Sequence, residues 1–406
     1  MNQRVKYVNY TLIFLLIGIF NLQGQDGIIP ESAYKKDIIV GAERLDDYLS
    51  KINDKNIGII ANQSSLVSGE HLVDVLLDKS IKIKKVFAPE HGFRGFADAG
   101  ELVKDGKDQK TGLDIVSLYG KNKKPTSEQL AGLDLLIFDI QDVGARFYTY
   151  ISTMHYAMEA CAENGVEFMV LDRPNPNGFY IDGPVLKPQF KSFVGMHEVP
   201  VVHGMTIGEY AQMINEEGWL AEGQKCALHI VKCSNYTHKD LYKLPVKPSP
   251  NLPTMTSVYL YPSLAFFEGT IVSVGRGTDK PFQQIGHPAF EGGDIEFTPK
   301  PMPGARYPKL EGENCKGIDL SNFGSFYLRH TRRLYLYWIS EMNKNLSGNL
   351  EFFSKSNFFN KLAGNAELQK QIRSGMDEIA IRASWQEELN AFKLIRNNYL
   401  LYPDFE

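Results

Sequence analysis

The sequence places groups suited to acid, base or anion-binding chemistry directly after short apolar runs. The clearest case is the motif PEHGFRG at 89–95, in which an apolar run leads into Glu90, His91 and Arg94. The proline and two glycines of this motif allow the sharp turn that such a strand end needs. A partly buried carboxylate there suits a general acid or base. We therefore take Glu90 as the leading catalytic candidate, with His91 beside it; the alternative is a surface glutamate that caps a turn.

Three further apolar runs, at 57–60, 135–138 and 168–171, also stop at polar residues. The polar residues that follow these three runs are Asn62, Asp139, Asp142, Arg146, Asp172, Arg173 and Asn175. If the strands are parallel, all of these groups lie at one edge of one sheet. The three aspartates are candidates for a second catalytic carboxylate, and Glu268 is a more distant one. Alternatively, each pairs with a nearby arginine and only orders its loop.

Four arginines, Arg94, Arg146, Arg173 and Arg276, follow apolar, strand-like runs. A guanidinium binds a carboxylate or phosphate through two parallel hydrogen bonds, so we expect an anionic group on the substrate. Internal ion pairing is the alternative, and we expect it for two or more of the four. The predicted substrate-binding residues are these arginines together with Asn62, Tyr148, Asn175, His203 and Glu268.

The elements that must position these groups alternate between short apolar strands and amphipathic helices. Residues 57–61 read as a strand, and residues 147–164 read as a helix that ends at Gly165. Such alternation predicts an α/β fold with a parallel sheet. We predict a catalytic domain over 37–190 and a mixed α+β domain over 191–406, which includes a long helix at 378–396.

Composition excludes several classes of protein. The chain has 406 residues, of which 43% are hydrophobic and 23% charged, so extended disorder is excluded. A formal net charge of -4 disfavours nucleic-acid binding through phosphates. The sequence contains no HExxH, CxxC, GxSxG, GxGxxG or P-loop pattern, and we predict no metal and no cofactor. The four cysteines are expected to be mostly free, buried thiols.

The N-terminus has the features of an export signal. Arg4 and Lys6 precede an apolar run at 11–20 that is too short to span a bilayer comfortably. We predict a signal peptide over 1–25 and an exported protein, periplasmic or secreted. Contact with the membrane would then occur only through an uncleaved signal.

Several long motifs resemble those of the NamZ-type exo-β-N-acetylmuramidases, glycoside hydrolase family 171. The motifs are PEHGFRG at 89–95, LIFDIQDVGARFYTY at 136–150, LDRPNPNG at 171–178, HGMTIGEYA at 203–211, SPNLP at 249–253, FEGT at 267–270 and GRGTDKPF at 275–282. The similarity extends over essentially the whole chain after the predicted signal.

The resemblance implies a Rossmann-like N-terminal domain, a smaller C-terminal domain and an active site in the cleft between them. It implies removal of N-acetylmuramic acid (MurNAc) from the non-reducing end of peptidoglycan fragments such as MurNAc linked to N-acetylglucosamine (MurNAc–GlcNAc). The glutamate of PEHG, here Glu90, would be the catalytic residue. The lactyl carboxylate of MurNAc would give the arginines an anionic ligand. A non-catalytic muropeptide-binding protein and a metal-dependent amidase or esterase are the alternatives, and the oligomeric state is left open.

Overall fold

A computed structural model describes residues 29–90, 92–94, 105–323, 330–348 and 350–406. The predicted signal peptide and His91 lie outside the described residues. The strands are β1 (Ile57–Ala61), β2 (Leu66–Val67), β3 (Glu70–His71), β4 (Ile83–Ala88), β5 (Gly106–Lys107), β6 (Asp114–Ser117), β7 (Leu135–Asp139), β8 (Glu167–Leu171), β9 (Leu228–Val231), β10 (Gln284–His287), β11 (Ile295–Phe297) and β12 (Cys315–Asp319). The helices are α1 (Leu45–Ile52), α2 (Leu72–Asp78), α3 (Ser127–Leu130), α4 (Tyr150–Asn164), α5 (Ile207–Glu216), α6 (Met255–Leu264), α7 (Tyr337–Leu346), α8 (Phe358–Ala363), α9 (Glu367–Arg373), α10 (Glu378–Ala383) and α11 (Gln386–Arg396).

The predicted parallel α/β sheet is confirmed. Seven strands lie in the order β5-β6-β4-β1-β7-β8-β9, and every neighbouring pair is parallel except β5 with β6. The chain leaves β1 toward β4 and β6, then returns to the other side of β1 to form β7. This reversal is a topological switch point, and ligands of open α/β sheets bind outside the carboxyl ends of the strands at such a point.

The central strands are short apolar runs because helices or loops cover both of their faces. Side chains of a strand alternate between the two faces, so Phe138 and Ile137 of β7 enter different apolar clusters. All five residues of β1 are buried, as are all five of β7 and four of the five in β8. Such burial is expected for a parallel sheet that is covered on both sides. Helix α4 ends at Gly165, whose φ of 66° is the left-handed conformation that favours glycine.

The C-terminal part contains a separate antiparallel sheet, β10-β12-β11, together with helices α7 to α11. The prediction of one helix over 378–396 is wrong, because α10 ends at Ala383 and α11 begins at Gln386. The Ser384 hydroxyl donates to the Ile381 carbonyl at 2.6 Å, and such a local bond competes with helix continuation.

Strand β9, which completes the large sheet, lies beyond the predicted domain boundary at residue 190; that boundary stays a prediction. The four cysteines are free and buried, as expected. Among the described residues, none of the helices has the length and apolar character needed to cross a membrane.

Candidate active site

Glu90 lies just beyond the carboxyl end of β4 and is held by two hydroxyl groups. Tyr119 donates a hydrogen bond to Oε1 at 3.1 Å, and Thr149 donates to Oε2 at 3.0 Å. Tyr119 follows β6, the strand beside β4, and Thr149 immediately precedes α4. The carboxylate therefore lies at the N-terminus of a 15-residue helix, where the helix dipole stabilises negative charge. Three separate elements fix its position and orientation.

The Glu90 side chain lines a cavity of about 580 Å³ between the sheet edge and the C-terminal part of the chain. This size is within the usual range for small-molecule sites. Aromatic rings form much of the wall, and many of the lining residues carry polar or charged groups. The charged residues are Glu90, Glu268, Arg276, Arg306 and Lys309; the hydroxyl and amide residues are Tyr119, Tyr148, Thr149, Tyr150, Ser249, Asn251, Tyr261, Ser273 and Tyr307.

Glu268 and Arg276 form an ion pair in this cavity. The Arg276 Nη1 atom lies 3.1 Å from Glu268 Oε1, and both side chains are partly exposed. The Arg276 guanidinium also lies over the ring of Phe282, with 5.8 Å between its Cζ and the ring centroid. Its Nε is buried and has no hydrogen-bond partner among the described residues. The guanidinium therefore has donor capacity left for a ligand.

Lys309 anchors the segment that carries Glu268. Its ammonium donates to the carbonyl oxygens of Phe267 at 2.9 Å, Thr270 at 2.5 Å and Val272 at 3.2 Å. Burial lowers the pKa of Lys309 to about 8. All three donor positions of the ammonium are used on backbone, so we assign Lys309 a positioning role.

Three tyrosines form one wall of the cavity. The ring centroid of Tyr148 lies 5.0 Å from that of Tyr150 and 5.7 Å from that of Tyr261, and both contacts are edge-to-face. The Tyr148 hydroxyl donates to the Pro248 carbonyl at 2.8 Å. Burial raises the pKa of all three phenols, so they stay neutral and can donate hydrogen bonds.

Asp142 lies near these three tyrosines but does not line the cavity. Its Oδ1 accepts a hydrogen bond from the Gly144 N–H at 2.7 Å, while Oδ2 is buried without a partner among the described residues. Burial raises the pKa of Asp142 to about 7. A carboxyl group in this environment is readily kept in its neutral form.

Of the four predicted arginines, Arg276 lines the cavity and the other three do not. Arg94 pairs with Asp74 and Asp108. Arg146 is buried and donates to backbone carbonyls of residues 184, 199 and 362. Arg173 makes two hydrogen bonds to the Asp139 carboxylate, at 2.6 and 2.9 Å. Internal ion pairing, the alternative interpretation, thus accounts for Arg94 and Arg173, whereas Arg146 binds backbone carbonyls instead.

The other candidates from the strand ends also lie in the protein interior. Asp139 is fully buried in its pair with Arg173. Asp172 accepts hydrogen bonds from Thr206, the Gly208 N–H and Tyr402. The remaining three, Asn62, Asn175 and His203, are buried and hydrogen-bonded to nearby backbone, and none of them lines the cavity. The structure thus brings Glu90, Tyr148, Glu268 and Arg276 together.

Sequence reasoning missed Tyr119, Thr149, Lys309 and the 249–251 segment of the wall. Thr149 lies 59 residues from the carboxylate it contacts, and no local pattern connects the two. A signal was available for Ser249 and Asn251, because both belong to the quoted motif SPNLP. Within the described ranges, no cluster of three or more His, Cys, Asp or Glu side chains could hold a metal ion.

The fold and this cavity define an α/β protein with a candidate ligand cavity at the carboxyl edge of a parallel sheet, lined also by residues of the C-terminal part. Two family models match in succession, the N-terminal part of exo-β-N-acetylmuramidase NamZ over residues 57–256 and the C-terminal part over residues 259–402. The chain belongs to the exo-β-N-acetylmuramidase NamZ family, which confirms the resemblance seen in the sequence.

Individual relatives agree with this assignment. The peptidoglycan β-N-acetylmuramidase NamZ of Bacillus subtilis (strain 168) is 41% identical over 393 residues, covering 92% of this chain and 93% of the relative. Two DUF1343 family crystal structures from Bacteroides fragilis NCTC 9343 each cover 91% of this chain and 100% of their own. The first is 42% identical with a TM-score of 0.84, and the second is 28% identical with a TM-score of 0.76.

Proposed function

We propose that the protein is a glycosidase that releases MurNAc from the non-reducing ends of peptidoglycan fragments, with MurNAc–GlcNAc as the smallest natural substrate. The observation that carries the proposal is the Glu90 carboxylate, fixed on the wall of the cavity in a chain that matches both NamZ models. The B. subtilis relative carries the name of a peptidoglycan β-N-acetylmuramidase, which supports the same reaction.

Glu90 acts as the general acid/base in this proposal. A glycosidic oxygen leaves as an alcohol once it is protonated, and a carboxyl group at hydrogen-bond distance can supply that proton. The Tyr119 and Thr149 hydroxyls keep the carboxyl group in one orientation when substrate enters. Pre-orientation of this kind reduces the entropy cost of reaching the reactive geometry.

Among the described residues that line the cavity, Glu268 is the carboxylate besides Glu90, and we propose it as the second acidic group of the reaction. Many glycosidases need two carboxylates that flank the bond. Its carboxylate, paired with Arg276, suits a group that stabilises positive charge developing at the anomeric carbon. Lys309 would hold the backbone on either side of Glu268 in place.

Arg276 is our proposed ligand for the lactyl carboxylate of MurNAc. Among the four arginines considered, it is the one that lines the cavity, and its Nε has no partner among the described residues. An anion on the sugar can accept a hydrogen bond from this Nε–H, whereas a sugar that lacks the anion leaves the buried donor without an acceptor. GlcNAc lacks the lactyl group, so Arg276 would select MurNAc.

Export to the cell wall is part of the proposal. The substrate lies outside the cytoplasmic membrane, and residues 1–25 have the basic start and short apolar run of a signal peptide. Fractionation of cells that produce the full chain should recover a shortened protein in the periplasm or the medium. Full-length protein confined to the cytoplasm would contradict this location.

The reaction is tested with 4-nitrophenyl β-N-acetylmuraminide, beside the corresponding glucosaminide. We expect turnover of the muraminide by the wild-type protein and, on MurNAc–GlcNAc, whose alcohol leaving group needs a proton, a loss of roughly 100-fold or more in kcat for Glu90→Gln. Glu387→Gln, at an exposed position on α11, is the matched control and should keep wild-type turnover. Near-wild-type activity of folded Glu90→Gln would refute the role of Glu90. Binding of MurNAc without any product would favour the binding-protein alternative, and loss of turnover with a chelator would favour the metal-dependent one.

A further inference from the structure

One aromatic side chain at the cavity stands apart from the rest by its exposure. Tyr307 lines the cavity and is 91% exposed, the largest value among the exposed large hydrophobic residues described. By contrast, Tyr148 and Tyr150 of the same cavity are 8% and 2% exposed. In the free protein the ring of Tyr307 is surrounded by water at the mouth of the cavity. Burial of its apolar surface against a ligand would therefore be favourable.

The backbone before Tyr307 is held in a tight turn. Met302 and Ala305 exchange two hydrogen bonds, with N···O distances of 3.1 and 2.8 Å. Gly304 within this turn has a φ of 88°, and its carbonyl accepts a hydrogen bond from Asn251 Nδ2 at 2.7 Å. A Cβ at Gly304 would lie 2.7 Å from the Pro250 Cβ, so the turn packs closely on the wall of the cavity.

The backbone after Tyr307 is equally constrained. Pro308 is buried against Gly277, where an added Cβ would lie 2.7 Å from the proline ring. Lys309 comes next and is bound to the three carbonyls described above. Tyr307 is thus an exposed ring between two fixed neighbours, rather than the tip of a loose loop. The backbone that carries the ring therefore loses little conformational freedom on binding.

We propose that Tyr307 is the stacking platform for the sugar on the leaving-group side of the scissile bond. This inference rests on the proposed function, because it assumes that the buried part of the cavity takes the MurNAc ring. The next sugar, a β-linked GlcNAc, then emerges at the mouth, where Tyr307 lies. Its ring substituents are equatorial, so its faces present C–H bonds that pack well on an aromatic face. Tyr307 would raise the affinity for glycan chains over simple glycosides.

The test compares two substrates that share MurNAc and differ in the leaving group: MurNAc–GlcNAc and methyl β-N-acetylmuraminide. In Tyr307→Ala, kcat/KM for the disaccharide should fall roughly 5- to 15-fold, the loss expected for one aromatic contact. The value for the methyl glycoside should change by less than about 2-fold, as is usual for a surface substitution. Tyr307→Phe keeps the ring and should restore the disaccharide rate. Tyr337→Ala, at a 51% exposed position that does not line the cavity, should leave both values unchanged.

Equal losses on both substrates, or no loss on either, would overturn the assignment of Tyr307. If the wild-type protein hydrolyses neither substrate, the proposed function itself fails, and the inference fails with it. The two failures are therefore distinguishable in one set of assays.

Discussion

The Asp142→Asn variant distinguishes between a structural and a catalytic role of the buried Asp142 carboxyl group. Burial raises the pKa of Asp142 from 3.8 to about 7, while in the unfolded chain it titrates near its ordinary value. Between these two values the folded protein binds the proton and the unfolded chain does not. The stability that the protonated group contributes is therefore fully present below pH 3.8 and is lost as the pH rises toward about 7.

The magnitude follows from this difference. At about 1.4 kcal/mol for each pH unit, the interval from 3.8 to about 7 amounts to about 4 kcal/mol. Asparagine is isosteric and neutral, and its Oδ1 can still accept the hydrogen bond from Gly144. The variant should match the wild type in acid and exceed it in free energy of unfolding by about 4 kcal/mol at neutral pH and above.

The assay is urea unfolding of the variant and the wild type at about pH 5 and at about pH 8. The gain in free energy of unfolding of the variant over the wild type should be larger at the higher pH by about 3 kcal/mol. Asp78→Asn, at an exposed position at the end of α2, is the control and should show no such dependence. If the difference in free energy of unfolding between Asp142→Asn and the wild type is the same at both pH values, the raised pKa of Asp142 is refuted. Hydrolytic activity should survive in the variant; a loss of about 100-fold or more would instead identify Asp142 as a catalytic carboxylate.

Three further substitutions test the remaining contacts. Arg173→Met leaves the buried Asp139 carboxylate unpaired and should lower the free energy of unfolding, measured in urea, by about 3–5 kcal/mol. Arg276→Met should raise the inhibition constant of free MurNAc roughly 10- to 100-fold and leave that of GlcNAc unchanged, whereas Arg94→Met should change neither. Lys309→Met removes the donor from three carbonyls and should destabilise the protein by about 3 kcal/mol, and an unchanged melting temperature would contradict its anchoring role.

The sheet could be predicted from the sequence because its strands are short apolar runs bounded by polar residues. Residues 57–61 are β1 as predicted, and β7 and β8 lie within one residue of the predicted runs. Each run carries its own signal, so no knowledge of distant residues is needed. Residues 226–233 also read as a strand, and β9 lies within them. That β9 belongs to this sheet was harder to predict, because an apolar run does not show which strand it pairs with, here β8.

The direction of a side chain at a strand end could not be predicted in the same way. Asp139 lies two residues after Ile137 and therefore points to the same face of the sheet, where Ile137 packs in the second apolar cluster. Phe138 points to the opposite face, toward the cluster that includes Tyr148 and Tyr150. A shift of one position along the strand thus decides whether a carboxylate points toward the cluster with Tyr148 and Tyr150 or toward the buried Arg173.

Partners that are distant in sequence account for the other gaps. Arg146 contacts the Leu362 carbonyl, 216 residues away, and nothing near Arg146 in the sequence indicates that its guanidinium is used there. The hydroxyls that hold Glu90 come from positions 29 and 59 residues later in the chain. Only the folded chain brings these groups together.

The central claim is that the protein, with Glu90 as general acid/base, removes one MurNAc at a time from the non-reducing end of a glycan chain. Its most direct test is mass spectrometry of a peptide-free peptidoglycan oligosaccharide that is labelled at the reducing end and begins with MurNAc. The account predicts free MurNAc and a labelled chain shorter by that one sugar with wild-type protein, and unchanged chain with Glu90→Gln. Labelled fragments of several internal lengths, or the same products from the Glu90→Gln protein, would contradict it.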